Sequence, residues 1–204
     1  MANERTDCTE NDHLEARIVL TLDWESKLKE HIYSNGKLMN DLRAARERRL
    51  PDWYIAAGYI RTTVWDALHG YAPAERHDDI DLIYFDPSDL SELRDVQLEV
   101  DLREQTGNCK WSVKNQARMH IKNGDEPYCS SEDAMSLWPE TVAAIGARLD
   151  DEDILYIAAP YGLSDLFHMV HRRSPKFKRA GIFEDRMIKK QWSTRWPKVQ
   201  VVEE

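Results

Sequence analysis

Asp79 and Asp81 are separated by one isoleucine and followed by the apolar run Leu82-Ile83-Tyr84-Phe85. Alternate side chains of a strand share a face, so this spacing aims two carboxylates the same way from the rigid start of a buried strand. Two aligned carboxylates supply the hard oxygen donors that hold Mg²⁺ or Mn²⁺ against the phosphates of a nucleotide. Upstream, Gly58 follows Tyr54-Ile55-Ala56-Ala57 and opens an amphipathic segment that closes at Gly70. A strand, a glycine turn and a helix start bring a close backbone approach and N–H groups to bear on an anion. Arg61 stands in the first turn of that helix, off the apolar face of Ile60, Val64, Ala67 and Leu68. There it opposes the helix dipole and calls for a negative partner, which a phosphate would supply to its planar fork.

Asp-Ile-Asp is also a pattern of phosphoaspartyl phosphatases, but there the apolar strand precedes the aspartates. Here Ala74-Glu75-Arg76-His77-Asp78 precedes them and the apolar run follows. Further along, Lys114-Asn115-Gln116-Ala117-Arg118 is dense in groups that bind phosphate, ribose or base. The same groups could instead close a polar strand end on its neighbours. If Val113 faces the core, Asn115 shares its side while Lys114 and Gln116 take the other. His168 and His171 lack a third ligand and read as a pair on a helix surface. The tetrad Asp150-Asp151-Glu152-Asp153 lacks the glycine and terminal glutamate of a calcium loop. Core packing accounts for most of the tryptophans.

The elements that must position these residues are a helix over 22–33 and a second beginning at Leu38, separated by Ser34-Asn35-Gly36. A strand over 53–57, the helix ending at Gly70 and a strand over 79–85 follow. A helix over 90–105 presents Leu90, Leu93, Gln97, Val100 and Glu104, although Val96 to Leu102 alternates as a strand would. Strands at 109–113, 141–149 and 154–158, the last two a hairpin, and helices at 134–138, 163–170 and 186–196 complete an α+β pattern: a small mixed sheet flanked by helices.

Hydrophobic residues make up 42% of the chain, which places it among packed globules. No apolar run is long enough to cross a bilayer, and the polar, acidic N-terminus shows no secretory signal, so a cytoplasmic protein is expected. Cys8, Cys109 and Cys129 lack metal or redox spacing. Residues 1–15 read as a flexible tail and 16–200 as one domain, with N-terminal helices at 22–48, a core at 50–170 and a basic segment at 172–198. Net charge is −9, yet that basic segment is strongly positive. It could face a phosphate-rich ligand or complement the acidic body.

Ala57-Gly58-Tyr59-Ile60-Arg61, Leu68-His69-Gly70 and Asp79-Ile80-Asp81 together resemble the head-domain signature of CCA-adding enzymes and bacterial poly(A) polymerases, in the DNA polymerase beta-like nucleotidyltransferase superfamily. Trp111-Ser112-Val113-Lys114-Asn115, Tyr161-Gly162-Leu163-Ser164-Asp165-Leu166 and Phe183-Glu184-Asp185-Arg186 extend the likeness, which is closest to bacterial nucleotidyltransferase family proteins. The resemblance implies a polymerase-beta-like nucleotidyltransferase fold. It implies transfer of a nucleoside monophosphate from an NTP to an acceptor (RNA, protein or small molecule), with release of pyrophosphate. Asp79 and Asp81 would be catalytic and hold Mg²⁺ or Mn²⁺; Gly58, Arg61, Lys114, Asn115 and Arg118 would bind the nucleotide. Ala57 stands where the family has glycine, Thr62 where it has aspartate, and Ser112 beside Val113 where many superfamily members carry a third carboxylate. Those departures support an alternative, a nucleotide- or partner-binding module without turnover.

Overall fold

A computed structural model describes residues 23–72 and 79–202. The tail expected over 1–15, with Cys8, lies outside the described residues. The chain opens with helix α1 over 23–34. Asn35 then caps α2 (Gly36–Glu47), its side-chain oxygen accepting the Leu38 N–H at 3.1 Å, as helix-start chemistry requires. β1 (Tyr54–Ala56), α3 (Gly58–Leu68), β2 (Ile80–Tyr84), α4 (Glu92–Thr106) and β3 (Trp111–Asn115) follow. After them come α5 (Gln116–Asn123), α6 (Ser131–Ser136), β4 (Gly146–Leu149) and β5 (Leu155–Ala158).

Five strands form one sheet in the order β3-β2-β1-β4-β5, with β2 and β3 parallel and the other pairs antiparallel. The mixed α+β architecture is the expected one. At Gly146 a Cβ would lie 2.9 Å from that of Tyr54, so only glycine lets β4 approach β1 this closely.

β3 is an edge strand whose outward backbone groups need partners. α4 provides them from one stripe spaced four residues apart. Arg103 donates to the Trp111 carbonyl at 2.8 Å, Glu99 accepts the Val113 N–H at 2.9 Å, and Asp95 accepts the Asn115 N–H at 3.1 Å. The helical reading of 90–105 is therefore right and its buried face is not. Asp95, Leu98 and Leu102 turn inward, whereas Leu93 is 78% exposed. Hydrogen bonding to the sheet edge outweighed hydrophobic pattern in orienting this helix.

The C-terminal third departs more. Instead of one helix over 163–170, α7 (Ser164–Phe167) stops before Met169, whose φ of 55° is left-handed, and β6 (Val170–Arg172) pairs in parallel with β7 (Gln200–Val202). Instead of one helix over 186–196 there are two, α8 (Ile182–Lys190) and α9 (Trp192–Arg195), divided at Gln191 with φ 44°. That turn brings Trp192 and Trp196 edge-on to Trp65 of α3, with ring centroids 5.5 and 5.2 Å away. The indole N–H of Trp196 donates to buried Asp66 at 2.7 Å and that of Trp65 to the Leu166 carbonyl at 2.9 Å. One apolar cluster runs from Leu28 to Val199. No helix among the described residues is long and apolar enough to cross a membrane.

His168 and His171 do not share a helix. His168 ends α7 and meets Ser164, while His171 lies on β6, 2% exposed, against Phe183 and Trp192. Burial pulls the His171 imidazole down to about 4, so it is neutral when folded and takes a proton more readily unfolded. Stability should be fully present above about 6.5 and lost as pH falls toward about 4. Urea titrations across that range check this: His171→Phe should flatten the acid limb, and an unchanged slope would place the effect elsewhere.

Candidate active site

β1 and β2 run antiparallel with Ala56 opposite Asp81. The turn leaving the end of β1 and the carboxylates entering β2 therefore meet at one sheet edge. Ile80 between the aspartates is fully buried, fixing the strand start, while Asp79 is exposed and Asp81 half-buried. Both aspartates line a cavity of about 200 Å³ together with Ala57, Gly58, Arg61 and Lys190. Sequence separation has thus become spatial contact between the acidic pair and the glycine turn.

Conformational demand in this turn falls on Ala57, not on the glycine. Ala57 has φ 59° and ψ −123°, a region that Cβ makes costly. It is held there by its N–H donating to the Ile145 carbonyl at 3.0 Å and its carbonyl accepting the Arg61 N–H at 3.2 Å. Gly58 opens α3 in ordinary geometry, and a Cβ there would stand 3.7 Å from Arg61 Nη2. Its missing side chain keeps the cavity floor open beside the guanidinium. No side chain caps α3, and a helix start of this kind suits an anion.

Arg61 is buried rather than set out on a polar face. Its guanidinium lies 3.9 Å from the Trp192 ring centroid and within 5.8 Å of those of Trp65 and Trp196. The helix stripe expected from Ile60, Val64, Ala67 and Leu68 is displaced accordingly: Trp65 is inside and Ala67 exposed. Aromatic faces stabilise a desolvated cation and fix its plane.

Burial, and then the charge of Asp79, push the Asp81 carboxyl up to about 6, against the pull of Lys190, Arg61 and Lys114. Two carboxylates that repel each other at a partly dry edge form a donor set a divalent cation would relieve. Asp79 and Asp81 are an all-oxygen pair, and no group of three or more His, Cys, Asp or Glu ligands occurs among the described residues. That fits Mg²⁺ or Mn²⁺, which completes its shell with water and substrate phosphate. Ser112 of β3 lies directly opposite Asp81 of β2 and brings no carboxylate to the pair.

Of the second group of expected residues, only Lys114 reaches the site. It lines an adjoining cavity of about 390 Å³, with Nζ 3.0 Å from Glu99. Asn115 points the other way, completely buried. Its amide donates to the Asp86 and Asp89 carbonyls at 2.8 Å each, and its oxygen accepts the N–H groups of Asp86 and Ala117. Arg118 is spent on Asp95 and Glu92. Both residues fasten the connection between β2 and α4, and neither lines the two cavities.

Several lining residues were given no ligand role in the sequence analysis. Arg186, shared by both cavities, makes a bidentate pair with fully buried Glu140 at 2.6 and 3.0 Å. Lys190 and Trp192 join it from the same C-terminal stretch. The signal was present: a basic segment interleaved with Trp192 and Trp196.

A family model described as Nucleotidyltransferase matches residues 43–201. The chain belongs to the nucleotidyltransferase family. A solved structure described as an NMR structure revealing a CCA-adding enzyme head domain is 33% identical, with a TM-score of 0.79, covering 88% of this chain and 96% of that one. A structure described as a tRNA-processing enzyme complex is 19% identical with a TM-score of 0.49; it matches over 80% of this chain and 43% of its own. No match is found among curated proteins. The nucleotidyltransferase therefore has the head-domain fold that its turn and acidic pair resemble.

Two substitutions separate structural from ligand-binding roles in this enzyme. Ala57→Gly should relieve the turn and stabilise the protein by about 1 kcal/mol net of the added chain entropy, read as a higher urea midpoint. Asn115→Ala should destabilise by roughly 2–4 kcal/mol through the buried groups it strands, while leaving NTP affinity of the folded protein unchanged. Weakened NTP binding at unchanged stability would instead return Asn115 to the site.

Proposed function

We propose that this nucleotidyltransferase moves a nucleoside monophosphate from an NTP to an acceptor, releasing pyrophosphate, in a reaction that requires Mg²⁺ or Mn²⁺. The observation that carries the reading is the pairing of Ala56 with Asp81, which sets the helix start beside the acidic pair. The likeness to a protein described as a CCA-adding enzyme head domain supports it.

Asp79 and Asp81 would hold the metal. When bound, it would neutralise the phosphates and polarise the reacting phosphorus. The chain's own residues do the rest. The first-turn N–H groups at Gly58 and the cations Arg61 and Lys190 receive the β- and γ-phosphates in the 200 Å³ cavity. The tryptophan walls hold Arg61 in one orientation, so charge developing on the departing pyrophosphate meets a fixed donor. Lys114 adds its positive charge near Asp81 from the adjoining 390 Å³ cavity.

A second reading is a nucleotide-binding module without turnover, and the serine opposite Asp81 favours it. Incubation with Mg²⁺ and α-labelled NTPs in a cell extract separates the two. Metal-dependent label transfer and pyrophosphate release should fall by about 10²–10³ in Asp79→Asn or Asp81→Asn, and chelation should abolish both until Mg²⁺ or Mn²⁺ is restored. NTP binding with no pyrophosphate released would leave only the module.

A further inference from the structure

Asp81 does not border one cavity but two. The 200 Å³ lobe and the 390 Å³ lobe share Ala57, Asp81, Ala143 and Arg186, so they adjoin at Asp81. They differ in chemistry. The smaller is set with Arg61 and Lys190 at a helix start, a place for polyphosphate. The larger has apolar walls at Met119, Trp138, Phe177 and Ile182, with Lys114, Arg179 and the shared Arg186 as its cations. Arg179 sits 4.9 Å from the Phe177 ring centroid.

Phosphoryl displacement is in line: the attacking and leaving oxygens lie on opposite sides of phosphorus. With the α-phosphate at Asp81 and the pyrophosphate in the smaller lobe, the larger lobe is the adjoining space from which an acceptor can attack. We infer that the 390 Å³ lobe is the acceptor subsite and takes a small molecule with an apolar or planar body, an anionic group and a free hydroxyl. Such a volume is in the range of small-molecule sites. Outside residues 172–198 acidic residues outnumber Lys and Arg, which disfavours a long nucleic-acid track. In the step, the acceptor oxygen forms a bond to the α-phosphorus as the bond to the bridging oxygen breaks. Pyrophosphate leaves with that electron pair, and the hydroxyl proton passes to water.

This assignment rests on the proposed NTP transfer, and the test distinguishes their failures. Binding of Mg²⁺–NTP is measured by calorimetry for the intact protein and for Ile182→Trp, Met119→Trp and Lys190→Ala. Label transfer from α-labelled NTPs is then followed separately into a low-molecular-weight filtrate, total RNA and the protein fraction of a cell extract. The two tryptophan variants should keep NTP affinity within about twofold yet lose at least about tenfold in transfer to the filtrate, whereas Lys190→Ala loses about tenfold in NTP affinity. Ile182 is 39% exposed, so its replacement tests the lobe even if Met119→Trp fails to fold. Tryptophan variants that weaken NTP binding as Lys190→Ala does would put the nucleoside in the large lobe and overturn the assignment. Label entering RNA or protein instead would overturn the acceptor class. NTP binding without transfer into any fraction would remove the subsite, and absence of NTP binding would remove the parent reading with it.

Discussion

Antiparallel pairing of β1 and β2, in the register that sets Ala56 against Asp81, is the constraint on which the site depends. Because the strands run in opposite directions, the end of one lies beside the start of the other. The helix N-terminus that leaves β1 thereby shares a sheet edge with the carboxylates that enter β2. Parallel pairing would place them a strand length apart, roughly 15 Å at about 3.3 Å per residue. Strain at Ala57 is what this meeting requires: the chain must turn from the sheet into α3 within one residue, and the Ile145 carbonyl holds it there.

The C-terminal segment closes the arrangement through aromatic packing more than through charge. Trp192 and Trp196 dock on Trp65, and the same rings wall in Arg61. Its basic residues are divided between the acidic body and the cavity. Arg172, Arg186 and Arg195 pair with Asp165, Glu140 and Asp66 of the acidic body. Arg186, Lys190 and Arg195 also line the cavity beside the aspartates. Removing one charge here would alter the anchoring of the segment as well as the field at the site. The Glu140 pair shows this most directly, since an uncompensated buried carboxylate would remain.

On the far side of the sheet, α4 does the work of a sixth strand. Arg103, Glu99 and Asp95 satisfy the backbone of β3 at alternate residues. Asp95 also accepts the Tyr84 hydroxyl at 2.7 Å. This polar seam explains why Asn115 and Arg118, chemically suited to a nucleotide, are turned away from it. It also leaves Leu93 and Val96 on an exposed face that nothing among the described residues covers.

The amino-acid sequence by itself determined the local order of the elements and the kind of chemistry available. The apolar run after Asp81 placed β2, the Asp-x-Asp spacing set two carboxylates together, and turn residues marked where α2 and α3 begin. Those are short-range properties, fixed by backbone stereochemistry and by the period of each element. Tertiary structure alone decided which faces were used. It buried Asp95 instead of Leu93, caged Arg61 among tryptophans, split the last helix at Gln191 and brought Arg186 and Lys190 to the aspartates. Each outcome depends on partners distant in sequence, because an unpaired backbone group or a desolvated charge is settled only by whatever the fold brings against it.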